Sequence, residues 1–165
     1  MYNTPIVPAN FKVPVELVTH RMKLRPLTIQ DVDKDYDAVM SSANRLRTIF
    51  DPGGDWPEGL TLEQNAIELG WHQVEFQHRT SFAYTVASLD ESSILGCMYI
   101  YPVIKSDYDV EVTMWVRESE ADTGLDAHLY KTVDDWISQI WPFKNPAFPG
   151  RKITWKVWSS LNQGG

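Results

Sequence analysis

The sequence "VEVTMWVRESEADTGLDAHLYKTVDDWI", residues 110–137, contains the pattern that decides the fold. Apolar side chains recur at every second position from Val110 to Val116, which predicts a half-buried β-strand. After a short polar loop, Gly124 precedes an apolar series at helical spacing that begins at Leu125 and predicts an amphipathic helix. Phosphate groups often bind at such a junction, because the first turn of a helix has unpaired N–H groups and a partial positive charge. The question is whether this junction binds a ligand or only connects a strand to a helix.

Before this stretch, the sequence predicts a strand, helices and a pair of strands. Residues 15–27 alternate as a strand, and Thr28 then caps a helix. Thr61 and Gln64 form a capping box, which predicts a long helix at residues 62–79. The next two segments, "SFAYTVAS" and "SILGCMYIYPV", are separated by a four-residue turn and read as a hairpin. This order of elements predicts an α/β or α+β domain.

The two ends of the chain differ in composition from its middle. Residues 1–165 are predicted to form one domain, with an extended arm at residues 1–14. Residues 141–165 form a tail rich in tryptophan and proline. Within this tail, "RKITWKVWSSL" fits a strand and a short helix equally well.

Composition excludes several classes of function. A net charge of −7 and a pI of about 5.0 argue against duplex nucleic acid or an anionic membrane surface as a partner. An acidic protein suits cationic or amine-bearing substrates better. The lone cysteine, Cys97, lies in an apolar run, so we expect a buried thiol, no intrachain disulfide and no cysteine zinc cluster. With no secretory signal or membrane span visible, we expect a cytoplasmic protein.

The third predicted helix places several possible metal ligands on one face. Glu68, His72 and Glu75 share a sector of this helix with Arg79, which can pair with Glu75 one turn earlier. His78 points away from that sector. We therefore interpret the sector as a solvated helix face and predict no metal site.

Glu111 lies in the middle of the predicted strand, on the face opposite the valines. Two interpretations remain open. It could be an exposed residue on the polar side of the strand. It could instead be a general base at the edge of a cleft, where partial burial would raise its pKa toward the working pH.

Three segments together resemble the GNAT superfamily of acetyl-CoA-dependent N-acetyltransferases. "MKLRPLTIQDVD" (residues 22–33) resembles the opening strand and capped first helix of that family. "FAYTVASLDESSILGCMYIYP" (residues 82–102) resembles its central hairpin, and residues 110–137 resemble its coenzyme A-binding strand, loop and helix. The resemblance implies a mixed, mainly antiparallel sheet flanked by helices. It also implies transfer of an acetyl group from acetyl-CoA to an unknown amine, either a small molecule or a peptide.

The resemblance also implies a role for individual residues. The backbone groups of Met114, Trp115 and Val116 would pair with the pantetheine arm of the cofactor. The pyrophosphate would bind the N–H groups of Thr123, Gly124 and Leu125. Glu111 falls where many members carry the base that deprotonates the substrate ammonium. The early helices and "DPGGDWPEG", residues 51–59, would form the wall of the acceptor site.

The phosphate loop departs from the family pattern Gln/Arg-x-x-Gly-x-Gly/Ala. In either alignment of Gly124, the basic or amide residue is lost. Four acids surround the loop instead: Glu118, Glu120, Asp122 and Asp126. Repulsion of a pyrophosphate would be of order 1 kcal/mol for each nearby solvated charge, which Arg117 and Lys131 would partly offset.

The chain after Ile140 is too short for the usual family ending of strand, helix and two strands, and the tyrosine that often protonates the departing thiolate is lost with it. Trp141, Trp155 and Trp158 occupy this short tail instead. They could cover the cleft or pack on a second subunit as a homodimer contact. The alternative to an enzyme is a GNAT-like binding or structural module that has lost catalysis, which a cleft filled by Trp155 or Trp158 would favour.

Overall fold

The computed structural model describes residues 1–50, 53–105 and 107–161. Six strands form one sheet in the order of the chain. The strands are β1 (Leu17–Val18), β2 (Lys23–Pro26), β3 (Phe82–Ala87), β4 (Ile94–Pro102), β5 (Val110–Val116) and β6 (Pro146–Ala147). The helices are α1 (Val32–Met40), α2 (Ala43–Ile49), α3 (Leu62–His78), α4 (Leu125–Ile140) and α5 (Trp155–Ser160). The predicted mixed, mainly antiparallel sheet flanked by helices is confirmed.

The sheet opens between its last two strands. Strands β1 to β5 are antiparallel neighbours, whereas β6 runs parallel to β5. In the described residues this parallel pairing has two register positions, Val110 with Pro146 and Glu111 with Ala147. The other five residues of β5, Val112 to Val116, have no paired strand on this edge among the described residues, and an extended ligand can add hydrogen bonds at such an edge.

The two faces of the sheet belong to different cores. One face of β5, carrying Val112, Met114 and Val116, packs in a cluster with the apolar side of α4. The opposite face carries Trp115, which is fully buried in a second cluster with residues of α1 and α2. Because side chains alternate along a strand, Glu111 lies on the same face as Trp115, away from α4.

A close approach of backbones fixes β4 against β5. A Cβ at Gly96 would lie 2.0 Å from the carbonyl oxygen of Trp115, so only glycine fits at this point of the pair. The carbonyl of Trp115 consequently faces β4. Backbone groups of neighbouring strand residues point to opposite edges, so those of Met114 and Val116 face the opening beside β6.

Helix α3 begins as the sequence predicts. Thr61 accepts a hydrogen bond from the Gln64 backbone, and the Gln64 side chain accepts one from the Thr61 backbone. The helix ends at Arg79, which adopts a left-handed conformation with φ 64°. Its guanidinium donates to the carbonyls of Pro8 and Phe11, so the N-terminal arm is held against this helix end.

Two regions differ from the sequence prediction. The predicted strand at residues 15–27 is a hairpin of β1 and β2, because Met22 donates its N–H to the hydroxyl of Thr19 within a tight turn. The tail, which the sequence left undecided, contains β6 and the helix α5. Thr154 begins α5 by accepting a hydrogen bond from the Val157 N–H at 3.2 Å.

Candidate active site

Glu111 lies where the sheet starts to open. It pairs with Tyr101 on β4 and with Ala147 on β6, the last register position before β5 and β6 separate. Burial raises the pKa of this carboxyl, while a hydrogen bond with the Trp158 side chain and the charge of Lys105 oppose the rise. A raised pKa shifts a carboxyl group toward the proton affinity that suits a general base at neutral pH.

A cavity of about 290 Å³ lies beside Glu111, and we call it the aromatic cavity. Its charged lining residues are Glu68 and Glu111, and Thr113 forms its inner end. The remaining walls are rings, namely Phe50, Trp56, His72, Tyr99 and Tyr101.

The rings of the aromatic cavity hold one another in place. Tyr99 and Tyr101 stack at 5.5 Å with their planes 9° apart. Phe50 and Trp56 meet edge to face at 5.6 Å, and His72 packs on Tyr99 at 5.5 Å. These contacts give the cavity walls of fixed orientation. Residues 53–59 of the loop "DPGGDWPEG" contribute Trp56 to this wall, whereas Asp51 and Pro52 lie outside the described residues.

The interpretation of the α3 sector as a solvated face is wrong. Glu68 and His72 line the aromatic cavity, and burial raises the pKa of Glu68 and lowers that of His72. Glu75 is buried and accepts hydrogen bonds from the Ser81 hydroxyl at 2.6 Å and the Tyr2 backbone at 2.9 Å. The sequence missed these positions because helical spacing does not show how closely β4 and the arm cover α3. No cluster of three or more His, Cys, Asp or Glu side chains suited to a metal occurs in the described residues.

A second cavity, also of about 290 Å³, lies along the opening of the sheet, and we call it the edge cavity. One wall is Thr113 and Met114 on β5, and the other is formed by residues 149–151 and Trp155. Phe50 and Thr113 line both cavities. The two cavities are therefore neighbours beside β5.

The junction before α4 has fewer open N–H groups than the sequence predicts. The Thr123 N–H donates to the Glu120 carbonyl at 3.3 Å, and the Leu125 N–H donates to the Thr123 hydroxyl at 3.3 Å. The turn at residues 118–123 satisfies these donors locally, so Thr123 is not an open phosphate ligand. Gly124 adopts φ 79° at the N-cap and has no side chain to occupy the helix end.

Arginines from distant segments surround the junction. Arg151 forms a two-pronged ion pair with Asp126, at 2.9 and 2.8 Å, and this hydrogen bonding lowers the pKa of Asp126 despite burial. The charge of Arg45 acts in the same direction. Arg21 donates to the Thr123 carbonyl at 3.0 Å and reaches within 3.6 Å of the Cβ position of Gly124.

The two basic residues that the sequence offered to offset the acids are engaged elsewhere. Arg117 binds Asp37 at 2.9 Å and the Ile94 carbonyl at 3.1 Å, which ties the end of β5 to α1. Lys131 pairs with Asp135 one turn along α4 at 2.7 Å. Local sequence proximity therefore identified the wrong cations, because the nearby arginines come from segments far away in the chain.

The three tryptophans of the tail pack within this chain. Trp141 is buried among aromatic rings of the core, with Phe82 at 5.0 Å. Trp155 donates its indole N–H to the Ile49 carbonyl at 2.9 Å and lies against Gly150 at the edge cavity. Trp158 is buried and covers Glu111. The tail thus covers part of the cleft, as one of the two sequence interpretations proposed.

Solved structures that match this mainly antiparallel α/β fold include several acetyltransferases. The ribosomal-protein-S5-alanine acetyltransferase from Vibrio fischeri matches with a TM-score of 0.59 and 15% identity, over 75% of this chain and 67% of that chain. RimL, a ribosomal L7/L12 acetyltransferase in complex with coenzyme A, matches with a TM-score of 0.58 and 16% identity, over 75% and 66% of the two chains. A Bordetella pertussis protein assigned to the GNAT acetyltransferase family matches with a TM-score of 0.56 and 15% identity, over 75% and 72%.

The chain has the fold of the GNAT acetyltransferases, as its sequence motifs indicate. It spans about two thirds of the length of the first structures that it matches. No protein-family model and no curated protein matches the sequence. At these identities the likeness establishes the fold, and the function has to be argued from the site. Among the described residues, no helix has the length and apolar character needed to cross a membrane.

Proposed function

We propose that this protein is an N-acetyltransferase that uses acetyl-CoA, with the donor in the edge cavity and an amine acceptor in the aromatic cavity. The observation that carries the proposal is that two neighbouring cavities share Phe50 and Thr113 in their linings, and that the half-buried Glu111 lines one of them. Transfer of a group between two bound molecules requires such a shared boundary, because the reacting atoms must approach to about 3–3.5 Å.

The edge cavity fits an extended donor. The backbone groups of Met114 and Val116 face the opening, where they can pair with an arm that carries amide groups. The arm would lead to the start of α4, where Gly124 exposes the helix end and its partial positive charge. Arg21 and Arg45 add positive charge there. A solved structure of this fold, RimL, contains coenzyme A, which supports a coenzyme A-based donor.

In the proposed reaction, the carboxylate of Glu111 accepts a proton from the acceptor ammonium. The neutral amine then attacks the thioester carbonyl carbon, while a β5 backbone N–H stabilises the oxygen of the tetrahedral intermediate. The C–S bond breaks, the amide forms, and the departing thiolate takes up a proton. The similar structures include acetyltransferases of ribosomal proteins, which makes a peptide amine one candidate for the acceptor.

The donor half of the proposal is tested by thermal unfolding. We expect millimolar acetyl-CoA and free coenzyme A each to raise the melting temperature, because a ligand that binds the native state stabilises it. ATP serves as the control for a general polyphosphate effect. No shift with either coenzyme, or an equal shift with ATP, contradicts the proposal.

A binding module without catalysis is the second candidate, and the tail favours it. Trp155 and Arg151 occupy part of the edge cavity, and Arg151 reaches the Met114 carbonyl at 3.4 Å. To distinguish the enzyme from the binding module, the release of coenzyme A thiol from acetyl-CoA is measured with a panel of amines. Coenzyme A binding without thiol release supports the binding module, whereas release that depends on the amine supports the enzyme.

A further inference from the structure

The aromatic cavity has a composition that restricts what it can bind. Of its lining residues in the described part of the chain, five carry rings, two are glutamates and none is lysine or arginine. The faces of tyrosine and tryptophan attract cations within about 6 Å of the ring centre. A carboxylate next to such faces adds the opposite charge. The lining is therefore complementary to a positively charged group with an apolar body.

The charges of the cavity face inward. Burial raises the pKa of Glu68, and none of the described residues forms an ion pair with this carboxylate. Glu111 has Trp158 and the charge of Lys105 on its other side, and Lys105 itself lies over the Trp158 ring at 5.0 Å and donates to the Leu161 carbonyl. Burial lowers the pKa of His72, which leaves its ring neutral at pH 7 and adds no positive charge to the lining.

We infer, on the basis of the proposed function, that the acceptor is a compact alkyl or aryl-alkyl ammonium ion with no carboxylate beside its amino group. A carboxylate on the acceptor would share the cavity with Glu68 and Glu111, and none of the described lining residues is a lysine or arginine that could pair with it. Free α-amino acids are therefore excluded, whereas simple amines, amides of amino acids and peptide N-termini retain the required charge.

Size supports a small head group. The volume of about 290 Å³ is at the lower end of the range for ligand cavities. A neighbouring cavity of about 420 Å³ shares Trp56 and Glu68 and extends outward along α3 past Ile67 and Trp71. The inner cavity would hold the ammonium, and the outer one gives the apolar body of the acceptor a path to solvent.

Four compounds with one skeleton test this inference. Phenylethylamine carries only the ammonium group, and phenylalanine carries a carboxylate as well. Phenylalanine amide keeps the ammonium but has a neutral amide in place of the carboxylate, and phenylethanol lacks the ammonium. Binding is measured by calorimetry on the whole protein, with and without saturating coenzyme A. We expect phenylethylamine and the amide to bind at least about tenfold more tightly than phenylalanine and phenylethanol. Equal or tighter binding of phenylalanine, or no binding of either amine in both conditions, overturns the inference.

A substitution of Glu68 tests whether this residue binds the ammonium group. Glu68→Gln should weaken phenylethylamine about tenfold and leave phenylethanol unchanged, because only the charged ligand uses the carboxylate. Glu63→Gln, at an exposed position on the same helix, is the matched control and should change neither affinity. An equal loss for both ligands in the Glu68 variant contradicts the assignment. If coenzyme A binds but the amines do not bind more tightly than phenylalanine and phenylethanol, only the inference about the acceptor is overturned. If the amines bind more tightly but coenzyme A does not bind, only the proposed function is overturned.

Discussion

The aromatic cavity and the edge cavity have the same volume, about 290 Å³, and share Thr113, but they differ in whether their acidic side chains have ion-pair partners. In the edge cavity, Asp126 is paired with Arg151, and this pairing lowers its pKa. In the aromatic cavity, Glu68 forms no ion pair with another described residue, and burial raises its pKa. The acid of the edge cavity is thus paired within the chain, whereas Glu68 of the aromatic cavity is not.

This difference bears on the four acidic residues around the start of α4, which are Glu118, Glu120, Asp122 and Asp126. The local loop has lost the basic residue of the family pattern, but Arg21, Arg45 and Arg151 supply positive charge from three other segments. A cation placed by the fold neutralises an acid as well as one placed by sequence proximity, because Coulomb attraction depends on distance in space. Four variants test whether the two cavities act as separate donor and acceptor sites on one strand.

The largest effect is expected for Glu111→Gln, which removes the proton acceptor. Turnover should fall about 10²- to 10⁴-fold, and coenzyme A affinity should stay within about twofold, because the change lies on the acceptor side. The rate of the natural protein should also rise with pH through the raised pKa of Glu111, since only the ionised carboxylate accepts a proton. Steady-state kinetics and calorimetry provide both measurements. An unchanged rate would remove Glu111 from this role.

Gly96→Ala should damage both cavities together, because it pushes β4 away from β5, the strand that lines both cavities. Its Cβ would lie 2.0 Å from the Trp115 carbonyl, so β4 and β5 must separate, at a loss of roughly 3 kcal/mol or more in the free energy of unfolding. Denaturant titration measures this loss. Gly70→Ala is the control, since a Cβ there meets nothing within 4 Å and should stabilise α3 by about 0.5–1 kcal/mol. Similar effects of the two substitutions would contradict the close approach.

Asp35→Asn tests how the buried carboxyl group of α1 affects the pH dependence of stability. Burial raises the pKa of Asp35 from 3.8 to about 6, although Asn65 donates to it at 2.9 Å and opposes the rise. Between these two values the folded state holds the proton that the unfolded state has released, so stability falls as pH rises from 4 to 6. The fall amounts to roughly 3 kcal/mol.

In the Asn variant this component of the pH dependence should disappear, as urea titrations between pH 4 and 8 would show. Asp33→Asn, at an exposed position on the same helix, is the matched control. If the Asp35 variant keeps the slope of the natural protein, Asp35 is not the group responsible. Asp126 should behave in the opposite way: its pairing with Arg151 lowers its pKa, so its contribution is present at neutral pH and lost as pH falls through that lowered value.

The smallest effect is expected for Arg151→Met, which should weaken coenzyme A binding about tenfold, or about 1.4 kcal/mol, by leaving Asp126 unpaired beside the proposed phosphate site. Adding Asp126→Asn should restore most of the affinity if Arg151 acts by neutralising that acid. Lys152→Met is the control, because Lys152 pairs with Asp134 instead. Tighter binding in the Arg151 variant would show that Arg151 blocks the edge cavity.

Much of the fold was predictable from local patterns. The capping box at Thr61, the alternation from Val110 to Val116 and the glycine-led helix at Gly124 are all found as predicted. These signals are local, because caps, strand alternation and helical periodicity depend on residues within one element. The undecided segment at residues 151–161 contains the helix α5, whereas the two-residue strand β6 lies before that segment and pairs with β5.

The sequence by itself determined the order of elements, the junction at Gly124 and the position of Glu111 on the strand. Only the tertiary structure decided the chemistry around them. It placed Glu68 and His72 in a cavity that helical spacing did not reveal, and it placed Arg151 beside Asp126. The physical reason is that burial and charge pairing act through space, so they depend on which distant segments the fold brings together, whereas backbone preferences act along the chain.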